Sequence, residues 1–549
     1  MSKTAVTVML LKQQFNFVIK AILSILLSYI IPLVFLPPSA LAVGLSIPRQ
    51  INNPIIIENQ KIGSTDWQLN NPATKREIEG YASLTSVNRG DEIKLFVNTK
   101  EPNYKMEIFR MGWYGGAGGR KMVSAIKRKG VKQPRPIVDQ ATGLIECNWQ
   151  DPYILKIPYN PKDPTQWASG IYLTKLTANK SGKQSYIIFV VRDDSRPSDI
   201  LFQSSVTTYQ AYNNWGWMSL YRWNSRGKQA YKVSFNRPYA ASPNSAAASG
   251  VGAGEFLTNF QPKNRTSSAG WEYNMVRWLE RSGYDVTYCT DVDTHNNLLD
   301  IYTTKPLLWL HKAFLAVGHD EYWSAQMRQN VETARDYGVS LGFFSANTCY
   351  WQIRFEPSLI TKEINRTIVA YKENALLDPF ARDDNPENDF LVTTIWRGKP
   401  VNRPEESLIG IMYETFQVNA DIIVDETAPD WLLAGTQLNL DETTASNKAY
   451  LKQMRLEGLL GYEVDRMFSY APANTVRIAH SPYRYNGKTK YSDMTFYTTD
   501  SSAIVFATGS MQWIWGLDDY NSPQLRPNVE SLDAQAMTRN ILDRMIDNN

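Results

Sequence analysis

Residues 313–351, AFLAVGHDEYWSAQMRQNVETARDYGVSLGFFSANTCYW, decide the fold. Two short apolar runs, Ala313 to Gly318 and Val339 to Ser345, have the length and continuity of buried parallel strands. Between them the pattern predicts a helix. Ser324 is suited to cap it, Val331 and Ala334 give it an apolar face, and Gly338 stands where a left-handed residue closes the last turn. Parallel strands joined by a helix run the same way, so the loops His319 to Trp323 and Ala346 to Trp351 leave one edge of the sheet, the carboxyl edge at which open α/β sheets bind ligands. Tyr322 and Tyr350 are therefore expected to face a common crevice.

The same alternation continues outward from this unit. Ile200 to Val206 reads as a first strand, Trp271 to Ser282 as a helix closed by Gly283, and Tyr284 to Cys289 as a further strand. An insertion reaching about residue 270 is rich in Gly, Ala and Ser between Ala240 and Gly254, which predicts a meandering loop. Beyond Glu356 the runs Thr367 to Lys372, Leu391 to Trp396, Val476 to Ser481, Ser492 to Thr498 and Ala503 to Thr508 are strand-like, and Ser531 to Asp547 is an amphipathic helix. Upstream the pattern changes. Ile78 to Leu84, Glu92 to Asn98, Tyr104 to Met111, Gly170 to Ala178 and Tyr186 to Arg192 are β-rich runs punctuated by Gly, Pro and Asn, as in an antiparallel sandwich of immunoglobulin-like size. The glycine cluster from Gly112 to Gly119 leads into no helix and reads as a hairpin loop, not a phosphate cradle. The expected organisation is an Asn/Pro/Gln-rich extended lead-in over 43–77, a β-sandwich over 78–192, the polar linker Arg192 to Ser198, and a mostly parallel αβα domain over 199–549.

A chain of 549 residues with 43% hydrophobic side chains exceeds what one core organises. Its formal charge of +4, set against 58 basic and 54 acidic residues without a long basic block, gives nucleic-acid binding no electrostatic support. Residues 1–42 stand apart: Lys3, Lys12 and Lys20 precede an apolar run from Ala21 to Phe35, then Pro37, Pro38 and Ala40-Leu41-Ala42. That is a signal-peptide pattern, which places the rest of the chain in the periplasm, in the medium or on the cell surface. If the leader stays attached it anchors the protein, the one route by which a membrane becomes a partner. Three cysteines permit at most one internal disulfide. The composition leaves room for a homo-oligomer.

Two loops concentrate functional side chains. In Gly318-His319-Asp320-Glu321-Tyr322-Trp323 either the carboxylates complement the next helix's dipole and His319 and Tyr322 pack, or the group is a site. In Ser345-Ala346-Asn347-Thr348-Cys349-Tyr350-Trp351, Cys349 is either a nucleophile on a strand-to-helix turn or a small buried hydrophobe; the tight glycine pattern of a nucleophile elbow is missing. His295, His311, His319 and His480 form no zinc-like pair.

Beyond these local patterns, the chain resembles the large (beta) subunit of N,N-dimethylformamidase and its relatives. IEGYASLTSVNRGDEI (78–93), FRMGWYGG (109–116), TYQAYNNWG (208–216), GYDVTYCTDVD (283–293), GHDEYW (318–323), SANTCYW (345–351), GYEVDR (461–466) and GSMQWIWGL (509–517) carry the likeness. The resemblance implies a mononuclear ferric iron held by two tyrosinates and a glutamate, hydrolysing the C–N bond of a small-molecule amide. Residue by residue it assigns the metal to Tyr322, Tyr350 and Glu463, with Asp465 or Glu321 as alternative carboxylates. His319 or Glu321 would transfer protons and Asn347 would steady an oxyanion. The implied fold is similar to amidotransferase-like sheets. Export is unexpected for a catabolic amidase, so the substrate is expected to differ. The competing expectation is a non-catalytic exported or cell-surface protein that binds polysaccharide through Trp113, Tyr114, Trp215 and Trp217.

Overall fold

The computed structural model of the protein describes residues 53–241, 245–258, 269–299, 305–437, 454–521 and 530–547; the signal-peptide expectation and the start of the lead-in lie outside them. Nine strands form the sheet that carries the site: β1 (Ile200–Ser204), β2 (Val286–Thr290), β3 (Ala313–His319), β4 (Ser340–Ala346), β5 (Met412–Val424), β6 (Met454–Arg466), β7 (Val476–Tyr485), β8 (Lys488–Thr498) and β9 (Ile504–Ala507). Side by side they run β2-β1-β3-β4-β9-β8-β7-β5-β6. The first five in that order are parallel. The remaining ladders are antiparallel, so the expected mostly parallel sheet describes one wing only. Burial accounts for the difference. Strands β1 to β4 are buried at every residue, as parallel strands covered on both faces must be, whereas β5 and β7 alternate between interior and solvent.

The antiparallel wing folds back over the carboxyl edge. Val464 on β6 bridges to Ser510, just past β9. The Asp465 N–H donates to Gly509 O at 3.1 Å, and the Asn347 N–H donates to Asp465 Oδ1 at 2.8 Å. The outermost strand in the sheet order thus ends beside the loops that leave β4 and β9.

The unit over 313–351 forms as its sequence dictates. Helix Ala325–Asp336 joins β3 to β4, Ser324 Oγ accepts from the Met327 N–H at 3.1 Å, and Gly338 takes a φ of 103°. Met327, Val331 and Ala334 pack with Leu341 and Phe343. The loop after β3 differs from expectation, because Tyr322–Ser324 pairs in parallel with Trp351–Glu356 inside a second, four-stranded sheet. Both edge loops are therefore pinned by backbone hydrogen bonds. Leu391 to Trp396 is not a strand: a 3-10 turn covers Asp389–Leu391, and Ile395 makes only an isolated bridge to Trp351.

The chain is a mixed α/β protein with a β-rich N-terminal part. In that part a three-stranded and a five-stranded sheet share one core, with Ile78, Ile93 and Leu95 from one and Met106, Tyr172 and Phe189 from the other. The glycine cluster is a hairpin connection between Asn103–Met111 and Gly119–Lys129. The lead-in is not simply extended. Pro54–Asn59 is a helix capped by Asn53, with proline in its first turn, and six residues are too few to show a period in sequence. This helix spans the two parts: Asn59 Oδ1 accepts from the N–H groups of Trp113 and Tyr114, while Asn53 Nδ2 donates to Gly283 O. Across the same seam the fully buried Arg110 and Glu280 form a two-pronged pair at 2.7 and 3.0 Å, joined by the hydroxyls of Tyr114 and Tyr288. Breaking such a pair on one side costs about 3–5 kcal/mol.

His311 fixes the start of β1. Its Nδ1 accepts from the Ser198 N–H at 3.2 Å, and burial pushes its pKa down from 6.5 to about 3. A histidine depressed in the folded state contributes fully above its unfolded value and loses that contribution as pH falls from 6.5 towards 3. Denaturant titrations at pH 7 and pH 4 should therefore show His311→Gln losing about 3 kcal/mol less stability between the two than the parent does.

Candidate active site

His319, the last residue of β3, is the centre of the site. Its Nδ1 lies 3.4 Å from Glu255 Oε2, and its Nε2 lies 3.3 Å from Glu321 Oε2 and 3.4 Å from Glu463 Oε2. All four side chains are buried. His319 Nε2 and Glu463 Oε2 make no aligned hydrogen bond, so these last contacts are charge–charge approaches, not directed bonds. Burial opposes a charge on the imidazole, but Glu463 and the neighbouring carboxylates outweigh it and hold His319 well above the usual histidine range. Glu321 goes the other way, with His319 overcoming burial and keeping it ionised. Glu255 is pushed up, because burial exceeds what His319 returns.

A chain of phenols completes the Glu321 side. The Tyr322 hydroxyl donates to the Tyr221 hydroxyl at 2.5 Å. Tyr221 and Tyr212 each place a hydroxyl 2.9 Å from the Glu321 carboxylate. Burial, then Glu321, drives the phenol of Tyr322 well above its ordinary value. The Lys372 ammonium sits 3.4 Å over the Tyr221 ring and 5.7 Å from that of Tyr322, with burial lowering it to about 8. Its φ of 59° is one that non-glycine residues rarely adopt, a strain of the kind found at functional sites.

Tyr350 lies on the next loop. Its ring stands edge-on to Tyr413 at 5.1 Å, with the Arg397 guanidinium 5.4 Å away. Burial raises its phenol to about 12 in spite of Arg397, and Glu321 adds to the rise. Tyr413 is raised by burial and then by Glu463 and Glu321, so it too senses both carboxylates. Asn347 stands apart. Its N–H is bound to Asp465, its own Oδ1 is buried without a partner among the described residues, and none of its hydrogen bonds there reaches His319, Glu321 or a phenol. Asp465, raised to about 7 by burial, is occupied by that loop backbone. Cys349 is buried in the core beneath the edge and burial raises its thiol, which is the packing alternative and not a nucleophile.

Sequence reasoning missed Glu255, Tyr212, Tyr221, Tyr413 and Lys372. Tyr212 stood inside the TYQAYNNWG match, but the other four carry no local signature. Glu255 comes from the Gly/Ala/Ser-rich insertion, which is no bystander loop: Ala253, Phe256 and Leu257 are buried beside it. Of the four aromatics proposed for glycan binding, Tyr114 and Trp215 are buried, and the exposed Trp217 is covered by Arg226 at 3.8 Å. They build no shared stacking surface.

The donors suit a hard cation. Three buried acidic side chains face the one histidine, an excess of acidic groups, and among the described residues Glu463 Oε2 is a buried acceptor with no aligned donor. Among the described residues no three His, Cys, Asp or Glu side chains are arranged as a metal cage, so a cation here would draw on phenols.

The fold and site define a mixed α/β protein with a buried, oxygen-rich, histidine-centred cluster at the carboxyl edge of its large sheet. The chain belongs to the N,N-dimethylformamidase beta subunit-like family, whose C-terminal region it matches over residues 105–526. That span crosses both the β-rich part and the large sheet. No curated protein matches the chain. Among solved structures, a crystal structure of murine CEACAM1b is similar over 23% of this chain and 62% of that one, at 14% identity and a TM-score of 0.12, a likeness too slight to bear on fold or function.

Tyr221 links Tyr322 to Glu321. Tyr221→Phe should lower unfolding free energy by about 1–3 kcal/mol in chemical denaturation, the cost of leaving buried partners unsatisfied; unchanged stability would show the phenol chain to be unimportant to the fold.

Proposed function

We propose that this protein is a metal-dependent hydrolase of amide C–N bonds. One observation carries the proposal: in a chain of this family, the buried His319 side chain lies 3.3 Å from Glu321 and 3.4 Å from Glu463 at the carboxyl edge of the sheet, on the loop that also carries Tyr322. Tyr322, Tyr350 and Glu463 are the residues that would hold a ferric ion, which when bound supplies Lewis-acid polarisation of an amide carbonyl. His319, whose carboxylate neighbours favour its protonated form, would donate a proton to the amide nitrogen as the C–N bond breaks. Glu321, ionised and oriented by Tyr212 and Tyr221, takes the proton released by the attacking water. The products are a carboxylic acid and an amine. Burial of all these groups excludes bulk water and strengthens their mutual electrostatics. The basic and apolar pattern of residues 1–42 supports an exported enzyme.

Metal analysis and visible absorbance of the purified protein test the ligand set. Bound iron with a phenolate charge-transfer band is expected, and the Tyr322→Phe/Tyr350→Phe double variant should lose both; full iron content in that variant removes the assignment. Amine release from N,N-dimethylformamide and larger amides separates the proton role. His319→Gln should retain its iron while kcat falls by about 10²–10⁴-fold, and loss of the metal in that variant would instead make His319 part of the cage.

A further inference from the structure

A cavity with a mixed apolar and polar lining lies at the seam between the β-rich part and the large sheet, away from the metal-site residues named above. It has about 30 Å³ of free space, and Tyr81, Thr85, Ser204, Arg237, Tyr239 and Arg366 are among its lining. Space of this size holds about two waters or one small ion. Its charge is unusual. Arg237 and Arg366 are 1% and 3% exposed, and burial lowers both to about 10, a sign that their surroundings do not offset the charge.

The hydrogen bonds of the two guanidiniums go to neutral groups. Arg237 donates to the carbonyls of Trp215, Met218 and Asn213, and its Nε is buried with no partner among the described residues. Arg366 donates through Nε to Asn236 Oδ1 at 3.0 Å and through Nη2 to Ala82 O at 3.0 Å. Glu146 and Glu363 both act on Arg366; Glu146 is bridged to it by Asn236 and is itself engaged by Ser358 Oγ and the Leu359 N–H. The stretches 242–246 and 259–268, which adjoin the cavity wall in sequence, contain no acidic residue. Thr85 and Ser204 are already bonded to Thr290 and Glu272, so what the cavity offers an anion is two buried positive charges and the one Arg237 donor left over among the described residues.

We infer that this cavity binds a small monovalent anion, of halide size, which bridges Arg237 and Arg366 and locks the β-rich part against the loop that carries Tyr212 and Tyr221. Two measurements test the inference. In crystals of the unmodified protein soaked in sodium bromide, an anomalous peak is expected in the cavity within hydrogen-bonding reach of Arg237 Nε; peaks confined to the surface would overturn the site. In solution, sodium chloride should raise the melting temperature saturably by about 2 °C over sodium gluconate at equal ionic strength, gluconate being too large to enter. Arg366→Met should abolish that increment. An equal increment in the variant, or none in the parent, defeats the inference, and the crystal result stands even if the variant fails to fold.

Discussion

The candidate site is organised around one buried histidine, His319, whose carboxylate neighbours favour its charged form. An imidazolium taken out of water needs close partners, or it neutralises. His319 has three, and they come from three separate pieces of chain: Glu255 from the insertion after β1, Glu321 from the loop that His319 itself begins, and Glu463 from β6. The antiparallel wing must curl back through Val464 and Asp465, and the insertion must bury Phe256 and Leu257. Site and fold are thus one cooperative object.

The same electrostatics indicate what the pocket would accept on the function proposed above. Three carboxylates against His319 and the nearby Lys372 leave the pocket short of positive charge, while burial keeps the phenols of Tyr322 and Tyr350 protonated. A weakly polarising cation could ease the imbalance without displacing those protons. On that proposal Tyr322, Tyr350 and Glu463 would hold the cation, which would supply the positive charge that burial denies the phenols.

Legibility in the sequence followed the range of the interactions. The unit over 313–351 was readable because its strands, its Ser324 cap and Gly338 are local, and the edge that carries His319, Glu321 and Tyr322 follows from topology alone. Strands β5 and β6 were hidden. Register shifts at Tyr413/Thr415, Phe416/Val418 and Ala420/Ile422 break the two-residue period that would have revealed them. Glu463 was reached only through resemblance, since its approach to His319 depends on the wing's return. Tyr221 and Tyr413 are two among thirty tyrosines, and only their hydrogen bonds or neighbours mark them out. The Gly/Ala/Ser-rich composition around Glu255 pointed away from a buried role.

The β-rich N-terminal part is a working piece of the site. The Trp215 indole N–H donates to Glu79 Oε2 at 2.8 Å and the Arg76 guanidinium covers the Trp215 ring at 4.3 Å, which ties the loop after helix Val206–Tyr212 to that part. That loop supplies Tyr221, and the helix ends on Tyr212, the two hydroxyls that orient Glu321. Ser86 and Thr85 likewise hold Asp293 and Thr290 at the end of β2. The Glu321 carboxylate can face His319 at a fixed distance only if this loop is held from behind, and much of that restraint comes from residues that precede the linker.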